Sequence, residues 1–363
     1  MTIVKTDTLA GSSRPRKNGA NAIAAEPQRS CVICGGLGEI EYRDLPDRLF
    51  GVAGLWNFRK CGAPDCGTLW MDPRPILQDI GKAYAYYFTH EHSRRNSWIR
   101  RILRFLAIEY AAARFGYDSS KLPWSGKYLV SGASVLYPGL REYLETAIRY
   151  LRAPPEQQRR LLDVGCGDGE ALDILKSLGW DVVGVEVDKK AVQVALARGL
   201  DVRQGRLQDA ELADECFDIV TSSHVIEHVH DPIGFLQEQR RLLKPNGRLV
   251  AVTPNADGPT HSRWAEHWLG LDPPRHLLIF TKRSLQKCAV AAGFSRMEIF
   301  TSARGVAQAE IASRKICDDG IWDTGSWPGL RVWLQAQATQ WAVTRGVNTG
   351  RKEGEELVLV ATK

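Results

Sequence analysis

The sequence predicts an α/β fold with a doubly wound, mostly parallel sheet. Two observations carry that expectation. The apolar run Leu161-Leu162-Asp163-Val164 breaks into glycines at alternate positions, Gly165, Gly167 and Gly169, as a buried strand does when it turns sharply into a helix. A second apolar run, Val182-Val183-Gly184-Val185, ends in Glu186, 23 residues beyond Asp163. Between them Ala171, Leu172, Ile174, Leu175 and Leu178 repeat at a helical period that Gly179 stops. The stretch is one strand-helix-strand unit.

That unit implies a ligand site. Glycines let a ligand lie directly on the turn, and an acidic residue at the next strand tip can accept hydrogen bonds from both hydroxyls of a ribose. A dinucleotide fingerprint would place a third glycine at position 170, where the chain has Glu170. A nucleoside without a pyrophosphate suits the spacing better. The plain alternative is an α/β core in which Glu186 only ends a strand.

The remaining elements follow in order. Lys189 to Arg198 reads as a helix closed by Gly199, and Asp201 to Gln204 as a third strand. Phe217 to Ser223 is a fourth strand; Asp231-Pro232 then opens a helix as N-cap and first turn, and Lys244-Pro245-Asn246-Gly247 ends it. Arg248 to Asn255 is a fifth strand, Lys282 to Ala292 a helix, and Met297 to Thr301 and Glu356 to Thr362 the last strands. No internal repeat occurs.

At 363 residues the chain has room for more than one module. With 44% hydrophobic and 25% charged residues it has a globular composition, and no apolar run reaches the roughly 20 residues that span a bilayer. The segment 1–28 reads as a disordered tail without a secretory signal, so a cytoplasmic location is expected. The net charge is +6, and Arg94, Arg95, Arg100, Arg101 and Arg104 crowd beside Trp98, Ile99, Ile102, Leu103, Phe105 and Leu106. Such a stretch is either a peripheral contact for an anionic membrane or a solvated helix face. It carries no nucleic-acid signature, and no nucleic-acid partner is expected.

Four of the eight cysteines form two close pairs, Cys31-Val-Ile-Cys34 and Cys61-Gly-Ala-Pro-Asp-Cys66. Two such knuckles predict a zinc ribbon at 29–75, with four thiolates around one structural zinc ion and no open position for substrate. Residues 76–155, rich in Trp, Tyr and Arg, read as a helical cap over the ligand cleft or as a helical linker. Residues 156–363 make up the core with a C-terminal extension.

The glycine motif with Glu186, then His-Val-Ile-Glu-His-Val-His-Asp-Pro, Leu-Leu-Lys-Pro-Asn-Gly, Thr-Pro-Asn and Asp-Pro-Pro-Arg-His-Leu, resemble class I S-adenosylmethionine-dependent methyltransferases, and within them a bacterial subgroup with an N-terminal zinc ribbon. The resemblance implies a Rossmann-like, seven-stranded sheet with a last antiparallel strand, and S-adenosylmethionine as cofactor. It implies cofactor contacts from Asp163, Gly165, Cys166, Gly167, Gly169, Glu186, Val187, Leu207, Ser222 and Ser223. Arg206 stands where related enzymes carry an acid for the adenine, so backbone near Leu207 or Asp209 is expected to serve instead. Members of the subgroup are often linked to modification of cell-surface glycans or lipids.

Six of the eight histidines fall between His224 and His276: His224, His228, His230, His261, His267 and His276. His224, Glu227 and His228 follow the fourth strand at i, i+3 and i+4, so one helical turn would align them. Three readings are open. His228 is a general base oriented by Glu227, with His276 nearby; or these residues and His276 hold a divalent cation that lowers the acceptor's pKa; or Glu-His is a structural cap. Similar Glu-x-x-Glu-His elements hold metal in small-RNA 3′-end and some quinone-pathway methyltransferases, although here His224 takes the first position. The long stretch 261–276 presents Trp264 and Trp268 four apart, a face for a sugar ring or flat acceptor, with Asp272, Arg275 and His276 as hydrogen-bonding groups; the alternative buries both tryptophans.

The functional expectation is methyl transfer to a sugar hydroxyl of a cell-surface glycan or lipid-linked precursor. The alternatives are N- or C-methylation of a small molecule, a metal-dependent RNA-end reaction, or a non-catalytic scaffold that binds the cofactor. The oligomeric state is left open.

Overall fold

The computed structural model describes residues 23–84, 97–118, 132, 138–155, 159–323, 326–351 and 353–363. At its centre is a sheet of seven strands, β6 (Arg160–Val164), β7 (Asp181–Glu186), β8 (Asp201–Gln204), β9 (Phe217–Ser223), β10 (Leu243–Pro254), β12 (Arg296–Ser302) and β13 (Glu356–Thr362), in the order β12-β13-β10-β9-β6-β7-β8. The pairs β10-β9, β9-β6, β6-β7 and β7-β8 are parallel. Only β13 runs against its neighbours, with Leu359 opposite Ala251 on one side and Ile299 on the other. The expected doubly wound sheet with its antiparallel last strand is therefore present. The chain winds outward from β6 to β8 and then returns to β9, so the strand order reverses beside β6. Ligands bind at the carboxyl edge of such a switch point.

Successive side chains of a strand point to opposite faces. Leu161, Val182 and Val250 lie in one buried cluster with α3 (Glu170–Ser177), α4 (Lys189–Ala197), α1 (Ser97–Phe115) and α2 (Pro138–Ala147). Leu162, Val183 and Leu249 lie in the other, with α5 (Pro232–Leu242) and α7 (Lys282–Ala291). Strands covered on both faces read as unbroken apolar runs, which is why β6 and β7 were visible in the sequence.

The second cluster continues into the cysteine-bearing region. There β2 (Gly38–Leu45), β3 (Trp56–Cys61) and β4 (Leu69–Met71) form an antiparallel sheet, and β11 (Leu278–Ile279), from far along the chain, joins it beside β4. The Thr281 hydroxyl, N-cap of α7, donates to the Cys66 carbonyl, and Lys287 pairs with Asp65. The cysteine-bearing sheet and the core thus share one packed cluster. Nearby, β1 (Ala25–Glu26) pairs with β5 (Arg74–Pro75). Residues 1–22 of the expected tail lie outside the described residues, as do Tyr86, Tyr87, Phe88, Arg94 and Arg95.

α1 buries Ala107, Tyr110 and Ala111 and leaves Arg101, Ile102 and Arg104 outward. At the start of the long stretch 261–276 and just before it, the chain folds into α6 (Pro259–Trp264) and two short 3₁₀ turns against α8 (Val306–Asp319). α9 (Leu330–Asn348) packs antiparallel to α8 before β13. No described helix is long and apolar enough to cross a membrane.

Candidate active site at the carboxyl edge of the sheet

A cavity of about 220 Å³ opens over the β6–α3 turn, lined among others by Gly165, Cys166, Gly167, Asp168, Tyr143, Thr146, Arg149 and Arg304. α2 supplies one wall, through Tyr143, Thr146 and Ala147. Gly165 has φ 71°, and a Cβ there would stand 2.5 Å from Val225. Gly167 has φ 57° and only open space where a Cβ would point. Glu186 lies beneath the turn: its Oε2 accepts from the Gly167 amide and its Oε1 from the Asp188 amide, each at 2.9 Å. Burial raises the Glu186 pKa, against those amides, which lower it.

The other expected cofactor residues divide. Asp163 is fully buried and its carboxylate is taken by Arg149, through Nη2 at 2.8 Å and Nε at 3.2 Å, and by the Thr221 hydroxyl at 2.6 Å. It positions Arg149 rather than presenting itself to a ligand. Arg149 and Tyr150 both take left-handed backbone, φ 53° and 55°, where α2 turns into the strand. Nothing in the local sequence announced Arg149. Gly169, φ 79°, is the N-cap of α3, and a Cβ there would meet Leu200 and Ala195, so its role is close packing. Ser222 is buried with its hydroxyl on Gln239, Ser223 is half-buried, Val187 is exposed, and Leu207 is buried in a short turn. Asp209 is engaged by Arg206 at 2.8 Å.

Beyond β9 the chain does not form the regular turn expected for His224, Glu227 and His228. His224 takes a left-handed backbone, φ 56°, and Ile226–His228 is a single 3₁₀ turn. The two histidines consequently leave in different directions, with Glu227 between them. His224 Nδ1 donates to Glu227 Oε1 at 3.1 Å and Nε2 to Glu356 Oε1 at 2.8 Å; Arg304 joins Glu356 at 2.6 Å. Burial alone would depress His224, but the two carboxylates outweigh it and raise its pKa to about 9. Burial works to raise Glu227, yet the hydrogen bond and charge of His224, with smaller contributions from His228 and His276, bring it down to about 2. A half-buried imidazolium thus bridges two buried carboxylates.

On the other side, Glu227, His228 and His276 bring one ligand atom each within 4.8 Å of one another. His228 Nδ1 donates to the Arg275 carbonyl at 3.0 Å, with the Tyr84 hydroxyl also 3.0 Å away. His276 Nδ1 donates to the Gly270 carbonyl at 2.7 Å. With both Nδ1 atoms protonated in this way, each Nε2 keeps its lone pair. Burial first, and the neighbouring His276 second, lower the His228 pKa to about 4, so it is neutral at physiological pH. His276 is lowered as well, by burial.

The rest of the histidine-rich stretch lies elsewhere. His230 contacts the Pro75 carbonyl, His261 the Ala256 carbonyl and Tyr42, and His267 Glu266. The aromatic acceptor face is not formed. Trp268 is 2% exposed and donates to Glu355, while Trp264 donates to Glu310 and lies under Arg263 and Arg314. Arg275 is wholly buried, forked onto Asp47 at 2.7 and 2.9 Å and bonded to Asp272 through Nε at 3.0 Å, with the Phe50 ring 4.7 Å away. Asp272 and Arg275 are therefore spent on each other and on Asp47. The apolar content of this segment drew its indoles into the core.

In the cysteine-bearing sheet all four expected thiols converge. Cys31 Sγ lies 3.7 Å from Cys66 Sγ and Cys34 Sγ 3.4 Å from Cys61 Sγ. Sulfurs about 2.3 Å from a tetrahedral zinc stand roughly 3.8 Å apart, so the set fits that ion.

Residues 139–298 match the family model described as a methyltransferase domain. A ubiquinone biosynthesis O-methyltransferase of Cereibacter sphaeroides is 37% identical over 134 residues, 33% of this chain and 54% of that protein. A probable S-adenosylmethionine-dependent methyltransferase of Mycolicibacterium smegmatis is 30% identical over 158 residues, 43% of this chain and 60% of that protein. A solved structure of a SAM-dependent methyltransferase from Thermotoga maritima, a possible histamine N-methyltransferase, is 19% identical with a TM-score of 0.41, covering 66% of this chain and 98% of that one. The chain spans about half the length of the first of these curated relatives. Its seven-stranded sheet, glycine turn and Glu186 lie in the matched stretch or continue it, and residues 139–298 are similar to a methyltransferase domain.

Proposed function

We propose that the protein transfers a methyl group from S-adenosylmethionine to an oxygen of a small acceptor, with a sugar hydroxyl of a cell-surface glycan or its lipid-linked precursor as the acceptor class. The observation that carries the oxygen assignment is His228, a half-buried neutral imidazole whose tautomer leaves Nε2 as a base. The relatives that methylate oxygen in ubiquinone biosynthesis support the same atom type.

The cofactor, when bound, supplies a methyl carbon activated by a sulfonium. The open space over Gly167, with Glu186 below and α2 at the side, fits its nucleoside part. Alignment in a dry cleft can supply roughly 7–11 kcal/mol of the barrier. His228 Nε2 takes the acceptor's proton, and ionised Glu227 stabilises the imidazolium that results. A positioned base of this kind contributes typically ~10²–10⁴-fold. The Arg275 carbonyl holds the ring orientation, and the buried Arg275 fork holds that carbonyl.

A second reading rests on the cluster of Glu227, His228 and His276, where each imidazole is fixed through Nδ1 by a carbonyl as metal-bound histidines commonly are. A divalent cation there would lower the acceptor's pKa. His224 stands apart, bound to Glu356. We also propose that Cys31, Cys34, Cys61 and Cys66 hold a structural zinc, which would place the chain in the subgroup with an N-terminal ribbon. A zinc with four thiolates has no position left for substrate.

The test uses S-adenosylmethionine labelled in its methyl group and a cell-envelope extract containing glycans and lipid-linked sugars. Label should appear as sugar O-methyl groups, and His228→Ala should lower turnover ~10²-fold or more with cofactor binding intact. Loss of activity with chelator and recovery with Mg²⁺ or Mn²⁺ would favour the cation. Label confined to nitrogen, carbon or RNA ends would refute the acceptor class, and full turnover in a His228→Ala, His276→Ala double variant would refute both chemistries.

A further inference from the structure

The outward face of α9 is unlike the rest of the surface. Leu330, Leu334 and Trp341 are 64%, 53% and 45% exposed, and their spacing of four and seven residues keeps them in one stripe about 16 Å long. Trp327, 68% exposed and stacked on Trp333, extends it at the helix N-terminus. The opposite face buries Ala336, Gln340 and Val343, so the helix is anchored and the stripe is surplus to folding. Exposed large apolar groups in one contiguous stripe mark an interaction surface.

The charges say which kind. α9 contains no Asp or Glu; its ionisable residues are Arg331 and Arg345, both exposed, near the two ends of the stripe and to one side. The acids nearest in sequence, Asp323 before the helix and Glu353 after it, lie outside its residue range. A second copy docked by a two-fold axis would bring arginines against arginines. The chain's own segment 119–137 carries Lys121 and Lys127 and no acid, so it offers no complement either. Indoles and leucines beside arginines match an interface with an apolar interior and anionic headgroups.

We propose that α9 rests on an anionic lipid surface, with Trp327, Leu330, Leu334 and Trp341 in the acyl boundary and Arg331 and Arg345 among the headgroups. This places a membrane contact on α9 rather than on the arginine-rich stretch around residue 100, where Arg104 is drawn into a pair with Asp173. It goes beyond the methyl-transfer reading and does not rest on it.

The experiment is sedimentation of the full-length protein with vesicles of phosphatidylcholine containing phosphatidylglycerol, and with phosphatidylcholine alone. Binding to the anionic vesicles is expected, weakening as salt rises. Leu334→Glu with Trp341→Glu should reduce the partition at least about tenfold. Arg331→Glu with Arg345→Glu should reduce it only on anionic vesicles. All these positions are exposed, and an unchanged melting temperature confirms that each variant folds. Absence of sedimentation, equal partition of the Leu334 and Trp341 variant, or light scattering showing a dimer that this variant dissolves would each overturn the proposal.

Discussion

Glu186 accepts from two backbone amides, one after its own strand tip and one in the glycine turn, so it fixes the shape of that turn. Glu186→Ala should lose about 1.5–3 kcal/mol of S-adenosylmethionine affinity, the range for hydrogen bonds to a charged group, measured by calorimetry. Unchanged affinity would remove Glu186 from the cofactor site. The residue-scale lesson of the histidines is similar. Glu-His was legible in the sequence as a chemical pair, but His224 and His228 are chemically opposite. One is charged between two carboxylates, and the other is neutral because burial and His276 oppose its proton. Residue type alone does not separate them; neighbours from β13 and from residue 275 onward do.

Among the elements, the cysteine-bearing sheet and the loop before β11 hold His228 in place. Elemental analysis should find one zinc per chain, bound by the four thiols. Cys31→Ser should lose it and lower the melting temperature, since metal binding and folding are coupled. Metal-free wild-type protein with an unchanged melting temperature would contradict this. Arg275 joins the residues after β2 to the loop before β11 through its fork on Asp47. Arg275→Met leaves Asp47 and Asp272 buried without their cation, which should cost about 3–5 kcal/mol in denaturant unfolding. Spacing predicted the convergence of the four thiols because each cysteine pair is local in sequence. The Asp47–Arg275 fork spans more than two hundred residues and left no local trace.

Taken as a whole, the molecule keeps acids inside that favour their protonated form. Burial raises Glu355, which accepts from Trp268 and Thr260, to about 7, and it raises Glu142, bonded to Gln340 and Thr344, to about 7. An unfolded glutamate titrates near 4.3. The folded chain therefore retains protons that the unfolded chain releases, and this contribution to stability is full below about pH 4 and lost as pH rises through about 7. Denaturant unfolding at pH 6 and pH 8 should show the wild type weaker at pH 8. Glu355→Gln should shrink the difference by about 1 kcal/mol. An identical difference in the variant would show that Glu355 is already ionised at pH 6.

The sequence by itself determined the strand-helix-strand unit at Asp163 to Glu186, the succession of strands after it and the cysteine knuckles. Each is written in short-range periodicity, glycine placement or spacing, which the chain satisfies locally. Tertiary structure decided what those elements meet. It gave Asp163 to Arg149, turned His224 toward Glu356 and brought His276 and Tyr84 to His228. It also drew Trp268 inward and left Trp341 outside. Two tryptophans in similar polar company had opposite fates because one segment packs under α8 and the other lies on the far side of α9. That difference arises from which faces are left to cover after the sheet has closed, and no window of sequence contains it.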